Sequence, residues 1–114
     1  MTLPQCATYA DVERLDGQPA AVVGTYEQVD VRAGPRPPAV FDGHAAVRLR
    51  DGHLVLIEPV WSARAVRSDD EVARAAGRAV TVTGVVHLRS PEPPEPAASI
   101  VGPCVSDVER VDVT

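Results

Sequence analysis

Along Gly77 to Leu88, GRAVTVTGVVHL, the apolar residues Val80, Val82, Val86 and Leu88 alternate with polar positions around Gly84. That is the period-two pattern of a half-buried β-strand. The same phrasing occurs sixty residues earlier in GQPAAVVGTYEQV, Gly17 to Val29, with glycines at 17 and 24 where the later stretch has 77 and 84. Each stretch follows a helical signal. Thr8 and Asp11 read as a variant capping box, Val12 and Leu15 as an apolar stripe, and Gly17 as the helix stop. Ser68 and Glu71 read as the clearer capping pair. There, Asp69 and Asp70 suit the positive end of a helix dipole and Gly77 closes a helix over Ser68 to Ala76. Val12, Arg14, Gly17, Val22 and Gly24 recur as Val72, Arg74, Gly77, Val82 and Gly84. Of the two readings, duplication or two solutions to one helix-into-strand problem, the second is preferred.

The first strand runs from Ala20 to Val31, and Gly24 inside it predicts a bulge or sharp bend that lets one strand serve two sheets. Met1 to Ala7 is expected to be a partly packed lead-in, and RAGPRPPAVFDG from Arg32 a long loop rich in Pro and Gly. From Ala45 to Glu58, AAVRLRDGHLVLIE reads as a hairpin turning on Asp51 and Gly52 in a two-residue type I′ turn. That register opposes Arg48 to Val55 and Leu49 to Leu54. It puts Val47, Leu49, Leu54 and Leu56 in the core and Arg48, Arg50, His53, Val55 and Ile57 on the other face. Val60, Trp61 and Val66 follow as lid or core residues, and Tyr26, Phe41 and Trp61 as plugs for the barrel ends. SPEPPEPAAS from Ser90 is a solvated loop, and the last strand spans Asp107 to Val113, with Ile100 and Val101 as a possible earlier pairing.

A chain of 114 residues without a long apolar run forms one domain over 1–114, with its core between about Thr8 and Val113. The absence of a basic and apolar leader predicts a cytoplasmic protein, with no membrane association. All 11 basic residues are Arg, which points to a GC-rich bacterial genome, and the formal charge of −5 disfavours a protein that binds mainly by neutralising phosphates. Cys6 and Cys104, near opposite ends of the chain, could meet in a disulfide, but are read as reduced core thiols.

A long bent strand, a tight hairpin, a helix and two further strands make an order that resembles the OB-fold. Through VVGTY at Val22, VRLRDGHLVLIE at Val47, the helix at Ser68 and VTVTGVVH at Val80, the chain looks most like small bacterial OB domains of the anticodon-binding type. The resemblance implies a mainly all-β, five-stranded OB-like Greek-key barrel. One short helix would lie between strands 3 and 4 and a helical turn before strand 1. It also implies a ligand face on strands 2 and 3, mapped here to Arg48, Arg50, His53, Val55 and Ile57, with loop contacts from Arg32, Arg36 and Phe41.

On that face, aliphatic Val55 and Ile57 rimmed by arginines match the composition of a protein interface. Single-strand binders add aromatic stacking platforms, which the face lacks. His44, His53 and His87 occur in no ligand pair, so no metal is expected. Ser62 and Ser106 lack a nucleophile context, so no catalytic residue and no cofactor are expected. The expected function is a non-enzymatic binding module or accessory subunit that engages a protein partner or itself through the strand 2–3 face. Single-stranded nucleic-acid binding through the same face is the alternative, and a small-ligand barrel a further one.

Overall fold

Strands that close a small barrel approach one another closely, and glycine permits that approach inside two of the long strands. The computed structural model describes residues 3–28, 44–59, 62–89 and 102–114. In chain order these form β1 (Gln5–Cys6), α1 (Tyr9–Arg14), β2 (Pro19–Gln28), β3 (Ala45–Arg48) and β4 (Leu54–Ile57). A 3-10 turn (Ala63–Ala65), α2 (Asp69–Ala75), β5 (Ala79–His87) and β6 (Cys104–Val113) complete the set. β2 pairs antiparallel with β5 from Pro19 to Thr25 and with β3 from Thr25 to Gln28, so it changes neighbours beside Gly24. β3 pairs antiparallel with β4, β4 parallel with β6, and β6 antiparallel with β5. The order β2-β3-β4-β6-β5 therefore returns to β2 and closes a five-stranded barrel. The architecture is mainly β and OB-like Greek-key, with α2 between the third and fourth barrel strands as the sequence predicts.

β1 is the element that the sequence pattern does not announce. Two residues are too few to show alternation, yet Gln5 and Cys6 pair parallel with Ala21 and Val22, and the Cys6 side chain is fully buried in the core. Burial, followed by the nearby Asp11 carboxylate, pushes its thiol up to about 11. Cys6 and Cys104 are both buried, and no disulfide joins them.

Gly17 and Gly77 end the two helix turns with φ of +80° and +76°, a conformation that L side chains rarely adopt. Gly24 and Gly84 serve a different need. Neither has positive φ; instead a Cβ at Gly24 would lie 2.3 Å from the Arg48 carbonyl oxygen, and one at Gly84 would lie 2.6 Å from that of Ser106. Close approach of a neighbouring strand, rather than backbone handedness, excludes a side chain there.

The hairpin corrects the predicted register. Leu49 N–H donates to the His53 carbonyl at 2.8 Å, Gly52 N–H donates to the Leu49 carbonyl at 2.9 Å, and Gly52 has φ +92°. Arg50, Asp51 and Gly52 thus form a three-residue loop that ends on a left-handed glycine. Asp-Gly serves this loop as readily as the two-residue turn. One extra loop residue pairs Arg48 with Leu54 and Val47 with Val55, which turns every β4 side chain to the opposite face. Val55 and Ile57 are 0% and 1% exposed in the core, whereas Leu54 and Leu56 are half-buried on the outside. Val47 and Leu49 are buried as expected. Val66, expected as lid or core, is 46% exposed. Phe41, Trp61, Ile100 and Val101 lie outside the described residues.

A carboxylate closes the seam between β4 and β6. Between the pairs Thr83↔Arg110 and Val85↔Ser106, residues 107–109 of β6 face Gly84 alone, a bulge that frees two amides from the ladder. Glu58, 3% exposed with φ 71°, accepts hydrogen bonds from Asp107 N–H at 3.2 Å and Val108 N–H at 2.9 Å. Arg64 Nε stands 3.3 Å from the same carboxylate while its Nη2 donates to the Val108 carbonyl at 2.6 Å. A buried charge is thereby both paired and hydrogen-bonded.

Candidate functional site

Alternation along β3 and β4 turns Arg48, Ala46, Leu54 and Leu56 away from the barrel interior; Arg48 is exposed, Leu54 and Leu56 are half-buried, and Ala46 is fully buried. Strand pairing sets them in two rows: Thr25, Arg48 and Leu54 in one, and Glu27, Ala46, Leu56, Cys104 and His87 in the other. Arg48 Nε donates to Glu27 Oε1 at 2.8 Å and Arg48 Nη1 to the Gly52 carbonyl at 3.0 Å, so the guanidinium lies along the hairpin. The hydrogen bond from Arg48 holds the Glu27 carboxyl below its usual range, and Glu27 in return raises the Arg48 guanidinium.

At the hairpin tip a second group assembles from residues that are far apart in sequence. Tyr9 and His53 stack with ring centroids 4.6 Å apart and an interplanar angle of 28°. Asp51 Oδ2 accepts Tyr9 N–H at 2.8 Å, its Oδ1 accepts His53 N–H at 3.3 Å, and Arg50 N–H donates to the Ala7 carbonyl at 3.3 Å. The Tyr9 amide holds the Asp51 carboxyl below its ordinary value, with smaller help from His53. The loop that displaces β4 by one residue also docks on the start of α1.

Of the residues expected on the ligand face, Arg48 is exposed on the outer face, and Arg50 and His53 are exposed at the hairpin tip, where His53 opposes Leu49. Val55 and Ile57 are corrected to core positions, and Leu54 and Leu56 take their place. Arg32, Arg36 and Phe41 lie outside the described residues. Sequence reasoning overlooked Tyr9, whose partner sits 44 positions along the chain, and no local pattern marks that pairing.

Two further clusters bear on chemistry. His87 Nε2 lies 2.7 Å from Ser106 Oγ, the spacing of a nucleophile and its base, but among the described residues no carboxylate orients the ring. At one end of the barrel, buried Tyr26 donates through its hydroxyl to Glu71 Oε2 at 2.7 Å, and Arg67 donates from Nε and Nη2 to the same carboxylate at 2.7 and 2.8 Å. Burial, then the Glu71 hydrogen bond, drives the Tyr26 phenol well above its ordinary value, as suits a plug rather than an acid. No group of three or more His, Cys, Asp or Glu is placed to hold a metal among the described residues, and no described helix is long and apolar enough to cross a membrane. The chain matches no protein-family model, no curated protein and no solved structure.

Proposed function

We propose that the chain is a non-enzymatic binding module that engages another protein through the outer face of the β3–β4 hairpin. The observation that supports this reading is the pair Leu54 and Leu56, half-buried on that face and set in rows with Arg48 and Glu27, with Arg50 and His53 at the tip. An aliphatic centre with an arginine rim is the composition of a protein interface, and basic groups on a chain of net charge −5 select a partner that carries acidic side chains around an apolar patch. In a symmetric dimer through this face, the same basic rims would be brought together, so a different chain fits better than a second copy.

The discriminating variant is Leu54→Glu with Leu56→Lys, compared with Val55→Glu with Ile57→Lys. The first pair of substitutions is expected to leave the melting temperature within a few degrees of the parent and to abolish crosslinking of the partner to a photoreactive residue at position 48. The second is expected to unfold the barrel, because it places charges among fully buried side chains. Retention of partner crosslinking by a folded Leu54→Glu/Leu56→Lys protein would remove the hairpin face as the binding surface.

The half-buried Tyr9 stacked on exposed His53, near Arg50 at the same hairpin tip, favours a second reading, binding of single-stranded nucleic acid, since aromatic rings next to a cation are a platform on which bases stack. Fluorescence anisotropy with labelled single strands separates the two. The protein-binding reading expects nothing tighter than tens of micromolar, roughly the non-specific range. Salt-sensitive nanomolar binding that is lost in Tyr9→Ala would place nucleic acid first.

A further inference from the structure

The helix-into-strand echo extends beyond local sequence. Around each helix start, the N-cap hydroxyl accepts the equivalent amide: Asp11 N–H to Thr8 Oγ1 at 3.3 Å, and Glu71 N–H to Ser68 Oγ at 3.2 Å. At each helix end, Gln18 N–H donates to Leu15 and Arg78 N–H to Ala75, both at 2.9 Å. Two unrelated junctions could share these features, because one local problem has few solutions.

The bonds between the two halves are more telling. Gly17 N–H donates to the Val86 carbonyl at 2.7 Å and Gly77 N–H to the Tyr26 carbonyl at 2.8 Å. Val86 N–H donates to the Gln18 carbonyl at 3.0 Å and Tyr26 N–H to the Arg78 carbonyl at 2.9 Å. Each bond becomes its counterpart when the two halves trade places at a spacing of sixty. The β2–β5 ladder obeys the same exchange, since Val22 faces its own equivalent Val82, Ala20 faces Gly84 and Gly24 faces Val80. The next strand in each half follows too. Tyr26 pairs with Val47 as Val86 pairs with Val105, and Glu27 with Ala46 as His87 with Cys104. A Cβ at Gly24 would strike Arg48 and Val47, and one at Gly84 would strike Ser106 and Val105. Even the outer side chains correspond, Glu27 to Arg48 at 2.8 Å and His87 to Ser106 at 2.7 Å.

We infer that the barrel consists of two copies of one helix–strand–strand repeat, α1–β2–β3 and α2–β5–β6, folded together about a local twofold axis. The axis passes between Val22 and Val82 and leaves the barrel at Leu56, which pairs with the equivalent residues Ala46 and Cys104. β4 has no counterpart and closes the gap between the two copies. Convergence on a helix-into-strand junction accounts for the helix ends but requires neither a self-facing central pair nor a matching third strand.

The repeat makes a specific claim about packing. Within the buried stretch from helix to strand, the first copy combines Leu15 with Ala20, and the second combines Ala75 with Val80, large with small against small with large. If the copies are equivalent, each accepts the combination of the other. In the intact chain, Leu15→Ala is expected to lower the melting temperature by roughly 10 °C or more, and addition of Ala20→Val to restore at least half of that loss. Ala75→Leu is likewise expected to be rescued by Val80→Ala. A control, Leu15→Ala with Ala45→Val, fills a non-equivalent core position and is expected to rescue nothing. Rescue in both copies, but not by the control, supports the repeat. Rescue in neither copy, in one alone, or equally by Ala45→Val overturns it.

Discussion

The starts of α1 and α2 carry a hydroxyl at the N-cap and a carboxylate three residues on, yet they use the carboxylate in opposite ways. At α1 the Asp11 side chain folds back to accept Ala7 N–H at 2.9 Å and Thr8 N–H at 3.2 Å, which completes a reciprocal capping box, and pairs with Arg14 at 3.0 Å. The Ala7 amide, then Arg14, lower the Asp11 carboxyl to about 2. At α2, where the sequence shows the capping pair more clearly, only half of the box forms. Ser68 caps the helix, but the longer Glu71 side chain turns to Tyr26 and Arg67. Burial raises the Glu71 carboxyl, and the hydrogen bonds from Arg67 and Tyr26 outweigh it, so the net shift is downward. A capping motif therefore fixes where a helix begins, while the destination of its carboxylate depends on which donors the fold brings within reach. A part-buried guanidinium with two donors is the stronger competitor.

Four substitutions would break or sharpen this contrast. Glu71→Ala should cost about 3 kcal/mol in denaturant unfolding, because it strands the Arg67 charge and the Tyr26 hydroxyl in a part-buried site. A loss no larger than that of an ordinary cap would show that Glu71 acts at the helix start after all. Tyr26→Phe should cost about 1.5 kcal/mol, since Arg67 still satisfies the carboxylate and only one buried hydrogen bond disappears. Asp11→Ala should cost about 1 kcal/mol, the ordinary value of an N-terminal cap.

The smallest effect is in acid. Both folded-state carboxyls lie below their unfolded values, so each contributes stability that is fully present above the ordinary carboxylate range and is lost as the pH falls through the folded value. For Asp11 the loss extends from about pH 4 down to about 2. Thermal melts of Asp11→Asn between pH 5 and 2 should fall less steeply than those of the parent. Parallel curves would mean that the Asp11 carboxylate contributes nothing through its charge.

The hairpin shows where a local reading stops. Asp51 and Gly52 identify a turn, and Val47 and Leu49 identify the inward side of β3. The two candidate loops, however, differ by one residue, and both leave β4 with two large aliphatic side chains on either face. Contacts outside the hairpin break the tie: Ile57 pairs with Val105 on the neighbouring strand β6, where both are buried in the core, and Asp51 holds the Tyr9 amide at the start of α1. Arg48 therefore lies on the outer face as expected, whereas Val55 and Ile57 belong to the core.

The sequence by itself determined the helix-to-strand junctions and the glycines that mark them. Those features depend on periodicity and on residues within a few positions of one another, and the chain writes them twice. The tertiary structure decided the facing of β4, the extra strand β1, the Glu58 carboxylate at the β6 bulge, and the Tyr9–His53 stack. The Glu58 and Tyr9–His53 contacts join groups 40 or more residues apart, as in the 49- and 50-residue separations between Glu58 and the amides that it satisfies; the facing of β4 follows from the fit of the closed barrel, and β1 from its pairing with Ala21 and Val22 of β2. No window of neighbouring residues contains that information, because register and partner choice depend on which side chains the closed sheet has room to bury.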